Sequence, residues 1–312
     1  MRQARARTGR LIVVGVGIKA ARHVSVEARH EIQHADRVLY LVADGLAEAW
    51  LRKLRPTAES LGDAYRPGED RSVAYGRMVD RILSPVRAGE RVCAVFYGHP
   101  GVFVHPSHEA IRRAREEGLS AEMLPAISAE DCLFADLGVD PARSGCQSFE
   151  ATDFLVHVRK FDPTSALVLW QVGVIGVLDY RPDRSSGIAS ALRFLGERLS
   201  DAYGSRHEVV LYEASPYVVA GPTILRLPIE GLASATVAPV ATLFVPPLPS
   251  HVSEDALQRL RIPRRETDPS PASRASGSPP GRRRRKAGGR RAPARGGRRP
   301  PRSPSEDDGA RD

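Results

Sequence analysis

The sequence contains no run approaching the ~18 apolar residues that a membrane-spanning helix requires. It is also poor in cysteine. Cys93, Cys132 and Cys146 form no C-x-x-C pair and their number is odd. Neither a disulfide framework nor a structural zinc site is expected, and free thiols point to a reducing, cytoplasmic setting. The N-terminus is basic and leads into the apolar run Leu11–Ile18. That run is short, holds two glycines, continues to Lys19 and Arg22 and offers no convincing cleavage site, so a buried first strand is expected rather than a secretion signal. No internal repeat is found.

What is abundant is positive charge, and its placement decides its meaning. The 312 residues carry a formal net charge of +9. Residues 263–312 contain 15 Lys and Arg against 6 Asp and Glu, so this segment holds the whole excess and residues 1–262 are neutral. The segment is rich in Arg, Gly, Pro and Ser with almost no large apolar residue. Such a composition cannot offset its ordering entropy, and a disordered tail is expected over 263–312.

The remainder alternates strands and helices. Strands are expected at Arg10–Gly17, Arg37–Val42, Arg91–Tyr97 and Ala121–Leu124, and helices at Val26–His34, Val73–Leu83 and Ser107–Glu117. This pattern implies a parallel, doubly wound α/β sheet. A second unit follows, with helices at Ala129–Leu137 and Ala189–Ala202 and strands at Ala166–Val172, His207–Glu213, Thr223–Pro228 and Ala241–Val245. With a hinge near Pro125-Ala126, the expected organisation is an N-terminal α/β domain over 1–125, a C-terminal α/β domain over 126–262 and the tail.

Three loops follow strand ends, where open α/β sheets bind ligands. Gly15 and Gly17 close the first strand, but Ala20 stands where a dinucleotide fingerprint needs its third glycine. Gly98-His99-Pro100-Gly101 follows the strongest strand and suits either a close-approach ligand loop or an ordinary turn. At Met123–Leu133, Ser128 can cap the following helix with Asp131 three residues on, and free amides there can also meet a ligand carboxylate. His105 and His108 lack a third ligand, so a helix start is expected there and no metal. Trp170 is expected in the core. Glu150 and Asp153 are candidates for orienting loops.

In this order, these loops resemble the tetrapyrrole-methylase superfamily over about residues 11–248. A narrower likeness is carried by Tyr97–Gly118 (YGHPGVFVHPSHEAIRRAREEG), Met123–Pro141 (MLPAISAEDCLFADLGVDP), Phe149–Leu155 (FEATDFL), Leu169–Gly176 (LWQVGVIG) and Ala241–Pro247 (ATLFVPP). These segments resemble the borosin peptide α-N-methyltransferases, with Ala126 where those enzymes usually have glycine. The resemblance implies a two-domain class III methyltransferase fold with S-adenosyl-L-methionine in a cleft between the domains. It implies that Tyr97, His99, Val102, Phe103, Ser128, Ala129, Gln171, Tyr212 and Thr242 line the cofactor.

A peptide N–H is a poor nucleophile because its lone pair is delocalised into the carbonyl. Methylating it needs a base for the proton and a donor for the developing oxyanion. Arg71 and Tyr75 are four residues apart and share a face if helical, and Tyr65 lies six residues before Arg71. A guanidinium beside a phenol favours phenolate. Spacing alone favours a surface arginine and two packing tyrosines. By resemblance, Tyr75 is the candidate base, Arg71 stabilises imidate and phenolate, and Tyr65 is a positioning partner.

Some borosin enzymes carry their substrate as a C-terminal extension with an apolar core peptide. No Val-, Ile- or Leu-rich run follows Ile262 here. A separate precursor peptide, methylated in trans, is therefore expected, and the resemblance implies that it docks on a homodimer to form a heterotetramer. Two other readings stay open: a tetrapyrrole or corrinoid C-methyltransferase, and an RNA-associated methyltransferase that uses Arg282–Arg285. Nucleic acid is disfavoured because the tail has no aromatic residues for base stacking, and no membrane partner is expected.

Overall fold

The computed structural model describes residues 8–19, 21–179 and 187–263. The expected disordered tail lies, from residue 264 on, outside the described residues. The described residues fall into two units, the first ending at Ser250 and the second beginning at His251. Among the described residues no helix is long and apolar enough to cross a membrane.

The first half of the larger unit contains β1 (Arg10–Gly15), α1 (Val26–His34), β2 (Arg37–Leu41), α2 (Gly45–Leu54), β3 (Glu59–Ser60), α3 (Arg71–Arg87), β4 (Arg91–Phe96), α4 (His105–Glu116) and β5 (Ser120–Met123). Its strands pair in the order β3-β2-β4-β1-β5 and every pairing is parallel. Both faces are covered. Leu11 and Val13 of β1 pack with Met78, Ile82 and Ile111 of α3 and α4. Ile12 and Val14 point the other way, to Ala28, Ile32 and Leu51 of α1 and α2. Burial on both faces explains why β1 and β4 read as unbroken apolar runs.

The second half contains α5 (Ala129–Leu137), β6 (Cys146–Glu150), α6 (Ala151–Val156), β7 (Ala166–Trp170), α7 (Ile188–Tyr203), β8 (Glu208–Glu213), β9 (Thr223–Pro228) and β10 (Thr242–Val245). Its sheet runs β6-β7-β10-β8-β9. Only β6 and β7 are parallel; β10 pairs antiparallel with β7 and β8, and β8 with β9. Leu167 and Leu169 of β7 enter the core formed with α6 and α7. Val168 and Trp170 face Leu133 of α5 instead. The smaller unit holds α8 (Glu254–Leu260), capped by the Ser253 hydroxyl on the Ala256 amide.

The doubly wound expectation describes the first sheet, whereas the second is mixed. Five further elements were not anticipated: α2, β6, α6, α8 and the two-residue β3. α2 carries readable signals, with Asp44 accepting from the Leu46 and Ala47 amides and an apolar side chain at Leu51. β6 is half-polar (CQSFE) and lies at a sheet edge, where periodicity is weak.

Phe154 is fully buried between Phe149 and Phe161, at ring-centre distances of 5.8 and 5.3 Å. Phe154→Ala should cost about 3–5 kcal/mol, seen as a lower urea midpoint at unchanged slope. Phe194→Ala, at a side chain 55% exposed, should stay within about 0.5 kcal/mol.

Candidate active site

Three loops at the carboxyl ends of β1, β4 and β5 close on one another at Gly15. A Cβ on Gly15 would overlap the Gly98 carbonyl oxygen and stand 2.6 Å from Ala126 Cβ and 2.7 Å from Pro100 Cδ. The missing side chain is what lets the backbones meet. Gly17 and Gly98 then exchange backbone hydrogen bonds at 3.2 and 3.1 Å. The amides after Gly17 are not free for a phosphate: those of Ile18 and Lys19 both donate to His23 Nδ1, at 3.3 and 3.2 Å. The weak dinucleotide fingerprint thus corresponds to a histidine-capped turn.

Next to this junction lies a cleft of about 370 Å³. Tyr97, His99, Val102 and Phe103 line it from the loop after β4, and Ser128 and Ala129 from the start of α5. Gln171 and Trp170 line it from the end of β7. Tyr65, Arg71 and Tyr75 border the same cleft, although they come from a different stretch of chain. Among the described residues lining it there is no Asp or Glu, and Arg71 is the sole Arg or Lys.

Local chemistry fixes several of these groups. His99 Nδ1 accepts the Gly101 amide at 2.9 Å, which leaves the ring proton on Nε2 in the neutral form. Ser128 forms the anticipated capping box: Asp131 Oδ2 accepts the Ser128 amide at 2.7 Å, and Ser128 Oγ accepts the Asp131 amide at 3.2 Å. Burial, helped by the charges of Asp44, Cys132 and Glu213, pushes the Tyr97 phenol up to about 12, so it stays protonated at neutral pH. The ring of Phe103 packs 5.2 Å from that of Trp170. Phe103 (φ 55°) and Gln171 (φ 58°) are held in the left-handed region, which side chains disfavour and which clusters at functional sites.

Tyr65, Arg71 and Tyr75 are brought together. Arg71 opens α3, and its amide donates to the Leu178 carbonyl at 3.3 Å. The Tyr65 and Tyr75 rings meet edge-on at 6.3 Å, and His105 packs against the other side of Tyr75 at 5.8 Å. Arg71 Nη2 is buried with no hydrogen-bond partner among the described residues. A second cleft of about 490 Å³ lies beyond this wall, lined by Asp70, Glu150, Asp153 and the apolar Val156, Val177 and Leu178. Arg71, Tyr75, Gln171 and Val174 border both clefts.

Two residues assigned by resemblance fall elsewhere. Tyr212 is buried under α5, its hydroxyl donating to Asp136 Oδ2 at 2.7 Å, and Thr242 stands opposite it in the β10–β8 register. Both occupy interior strands of the second sheet, and neither borders the cleft. Conversely, Trp170 is both core and cleft wall. Glu150 and Asp153 reach the second cleft, and His105 is the start of α4 as expected. Reading Trp170 as a wall residue required knowing which sheet face meets the cleft.

The sequence profile of the tetrapyrrole (corrin/porphyrin) methylases matches residues 10–215. The chain belongs to this family. It is 42% identical over 78% of its length to the methyltransferase/ribosomally synthesized type I borosin cyclic peptide precursor of Coprinopsis marcescibilis. It is 40% identical over 81% of its length to the methyltransferase/ribosomally synthesized cyclic peptide gymnopeptides precursor of Gymnopus fusipes. The chain spans 63% and 61% of these relatives' own lengths. The fold matches uroporphyrin-III-C-methyltransferase from Thermus thermophilus, with a TM-score of 0.53 at 18% identity over 83% of this chain and 99% of that one.

Burial, reinforced by the Lys19 charge, lowers the His23 pKa from 6.5, and protonation at Nδ1 removes the acceptor of two amides. The unfolded chain therefore binds this proton more readily. The stabilisation is complete above pH 6.5 and is lost as pH falls below that value toward the folded pKa. Urea midpoints measured between pH 7 and 5 should decline in the wild type, and His23→Gln should flatten that decline.

Proposed function

We propose that this chain transfers a methyl group from S-adenosyl-L-methionine to backbone amide nitrogens of a peptide carried on a separate chain. The observation that carries this reading is the wall of Arg71, Tyr75, Gln171 and Val174 between the two clefts. With the cofactor on one side and an extended peptide on the other, the reacting atoms meet at Tyr75.

The first cleft suits the cofactor in its chemistry. Its walls are mostly apolar and aromatic, and the first-turn amides of α5 beside Ser128 and Ala129 are placed for a carboxylate. Bound there, held by the lining residues of the first cleft, S-adenosyl-L-methionine would supply an electrophilic methyl group and leave as the thioether.

The other side of the wall supplies what an amide acceptor needs. Tyr75 takes the N–H proton as the nitrogen is alkylated. Arg71 bonds the carbonyl oxygen, where charge accumulates in the imidate, and its partnerless Nη2 is a donor in want of such an acceptor. Tyr65, edge-on to Tyr75, holds that ring in place. Val156 and Leu178, each 68% exposed at the second cleft, suit an aliphatic peptide. Residues 263–312 contain no Val, Ile or Leu, so they hold no aliphatic stretch of the kind this cleft suits. The named relatives combine methyltransferase and precursor in one chain, so the trans arrangement is particular to this proposal. A homodimer docking two precursor chains, acting in the cytoplasm where Cys93, Cys132 and Cys146 stay reduced, completes it.

Incubation with methyl-deuterated cofactor and aliphatic-rich peptides, read by fragment mass spectrometry, should show labelled backbone nitrogens on the added peptide. Labelling of this chain's own backbone without peptide would overturn the trans reading, and labelling of tetrapyrrole carbon alone would overturn the acceptor class. Tyr75→Phe and Arg71→Ala should each lower the rate at least ~100-fold, while affinity for S-adenosylhomocysteine changes by less than about threefold, within ~0.7 kcal/mol.

A further inference from the structure

The charge of the cleft poses a problem for a cationic ligand. No carboxylate is found among its described lining residues, and Arg71 adds a positive charge of its own. A sulfonium moved from water into such a site meets no carboxylate among the described lining residues to offset its lost hydration, and Asp44 and Glu213, whose charges act on Tyr97, stand outside that lining. Negative potential is available from aromatic faces, which attract cations placed within about 6 Å of the ring centre.

The aromatic walls are not equivalent. Tyr75 lies one helical turn from Arg71 and Tyr65 packs on Tyr75, so that pair stands beside a like charge. Phe96 is almost fully buried beneath the loop. Phe103 is 48% exposed and lines the cleft. Its backbone is held at φ 55°, a conformation that a phenylalanine adopts only when its surroundings impose it. Its ring packs against that of Trp170, which is 6% exposed, at 5.2 Å between ring centres. The indole is itself fixed, because Nε1 donates to Ser148 Oγ at 2.5 Å.

We propose that Phe103 holds the cofactor's sulfonium charge against its ring face and that Trp170 positions Phe103 for this contact. The inference rests on the S-adenosyl-L-methionine reading above. It makes the site selective for charge: once the methyl group has left, the thioether product loses this attraction and is released more easily than the substrate.

The test is calorimetric binding of S-adenosylmethionine and S-adenosylhomocysteine to the full chain, with no acceptor peptide. Phenylalanine at 103 is replaced by mono-, di- and trifluorinated analogues, which drain the ring face at nearly constant shape. Affinity for S-adenosylmethionine should fall stepwise, by about 5- to 30-fold in total, while S-adenosylhomocysteine changes by less than about twofold. Phe103→Leu should reduce the ratio of the two affinities similarly. Trp170→Phe should reduce it in part, a change in selectivity that simple loss of packing would not produce. Equal losses for both ligands, or indifference of S-adenosylmethionine to fluorination, would overturn the proposal while leaving the cofactor reading intact. Failure of the wild-type chain to bind either ligand would overturn both.

Discussion

The geometry of the cleft depends on a close approach of backbones at Gly15. There the end of β1 touches the loop after β4 and the turn after β5, with no room for a Cβ. If the loops were held apart, Ser128 and Ala129 at the start of α5 would no longer face His99 and Phe103 across one cavity. The hydrogen bonds between Gly17 and Gly98, and the capture of two amides by His23, then lock the arrangement. Ala126 adds a methyl group at this junction, which is accommodated because Gly15 contributes none.

A second constraint joins the halves of the larger unit. The Arg71 amide bonds the Leu178 carbonyl, and Asp70 and Asp179 bridge, so the start of α3 is tied to the loop following β7. This tie places Arg71 and Tyr75, from the first half, in one wall with Gln171 and Val174, from the second. A wall shared by two cavities lets two reactants be held separately yet meet at one side chain, and that positioning supplies much of the rate in a group transfer. The charge distribution follows the same division. Among the described residues the first cavity is lined by aromatic rings and no carboxylate, whereas Asp70, Glu150 and Asp153 all lie at the second.

Much of this was legible in the sequence. The apolar runs of β1, β4 and β7 show that these strands are covered on both faces, since no half-exposed strand tolerates such a pattern. Ser128 and Asp131, three apart, specify their capping box locally. The i, i+4 spacing of Arg71 and Tyr75 places them on one helical face, and the charge count assigns the basic excess to residues 263–312. These properties depend on neighbours within a turn or two of chain, or on composition alone.

Tertiary structure decided the rest, because it depends on contacts between distant residues. Nothing near Tyr212 in sequence shows that its hydroxyl is taken by Asp136, 76 residues away, under α5. Nothing near Trp170 shows that one edge of a core side chain also walls a cavity beside Phe103. The mixed pairing of the second sheet and the partnerless Nη2 of Arg71 likewise arise only when the chain has folded. The sequence by itself determined most of the elements, the family likeness and the candidate trio. The fold alone determined which of those side chains share a wall, since burial and hydrogen bonding between remote segments have no local signature.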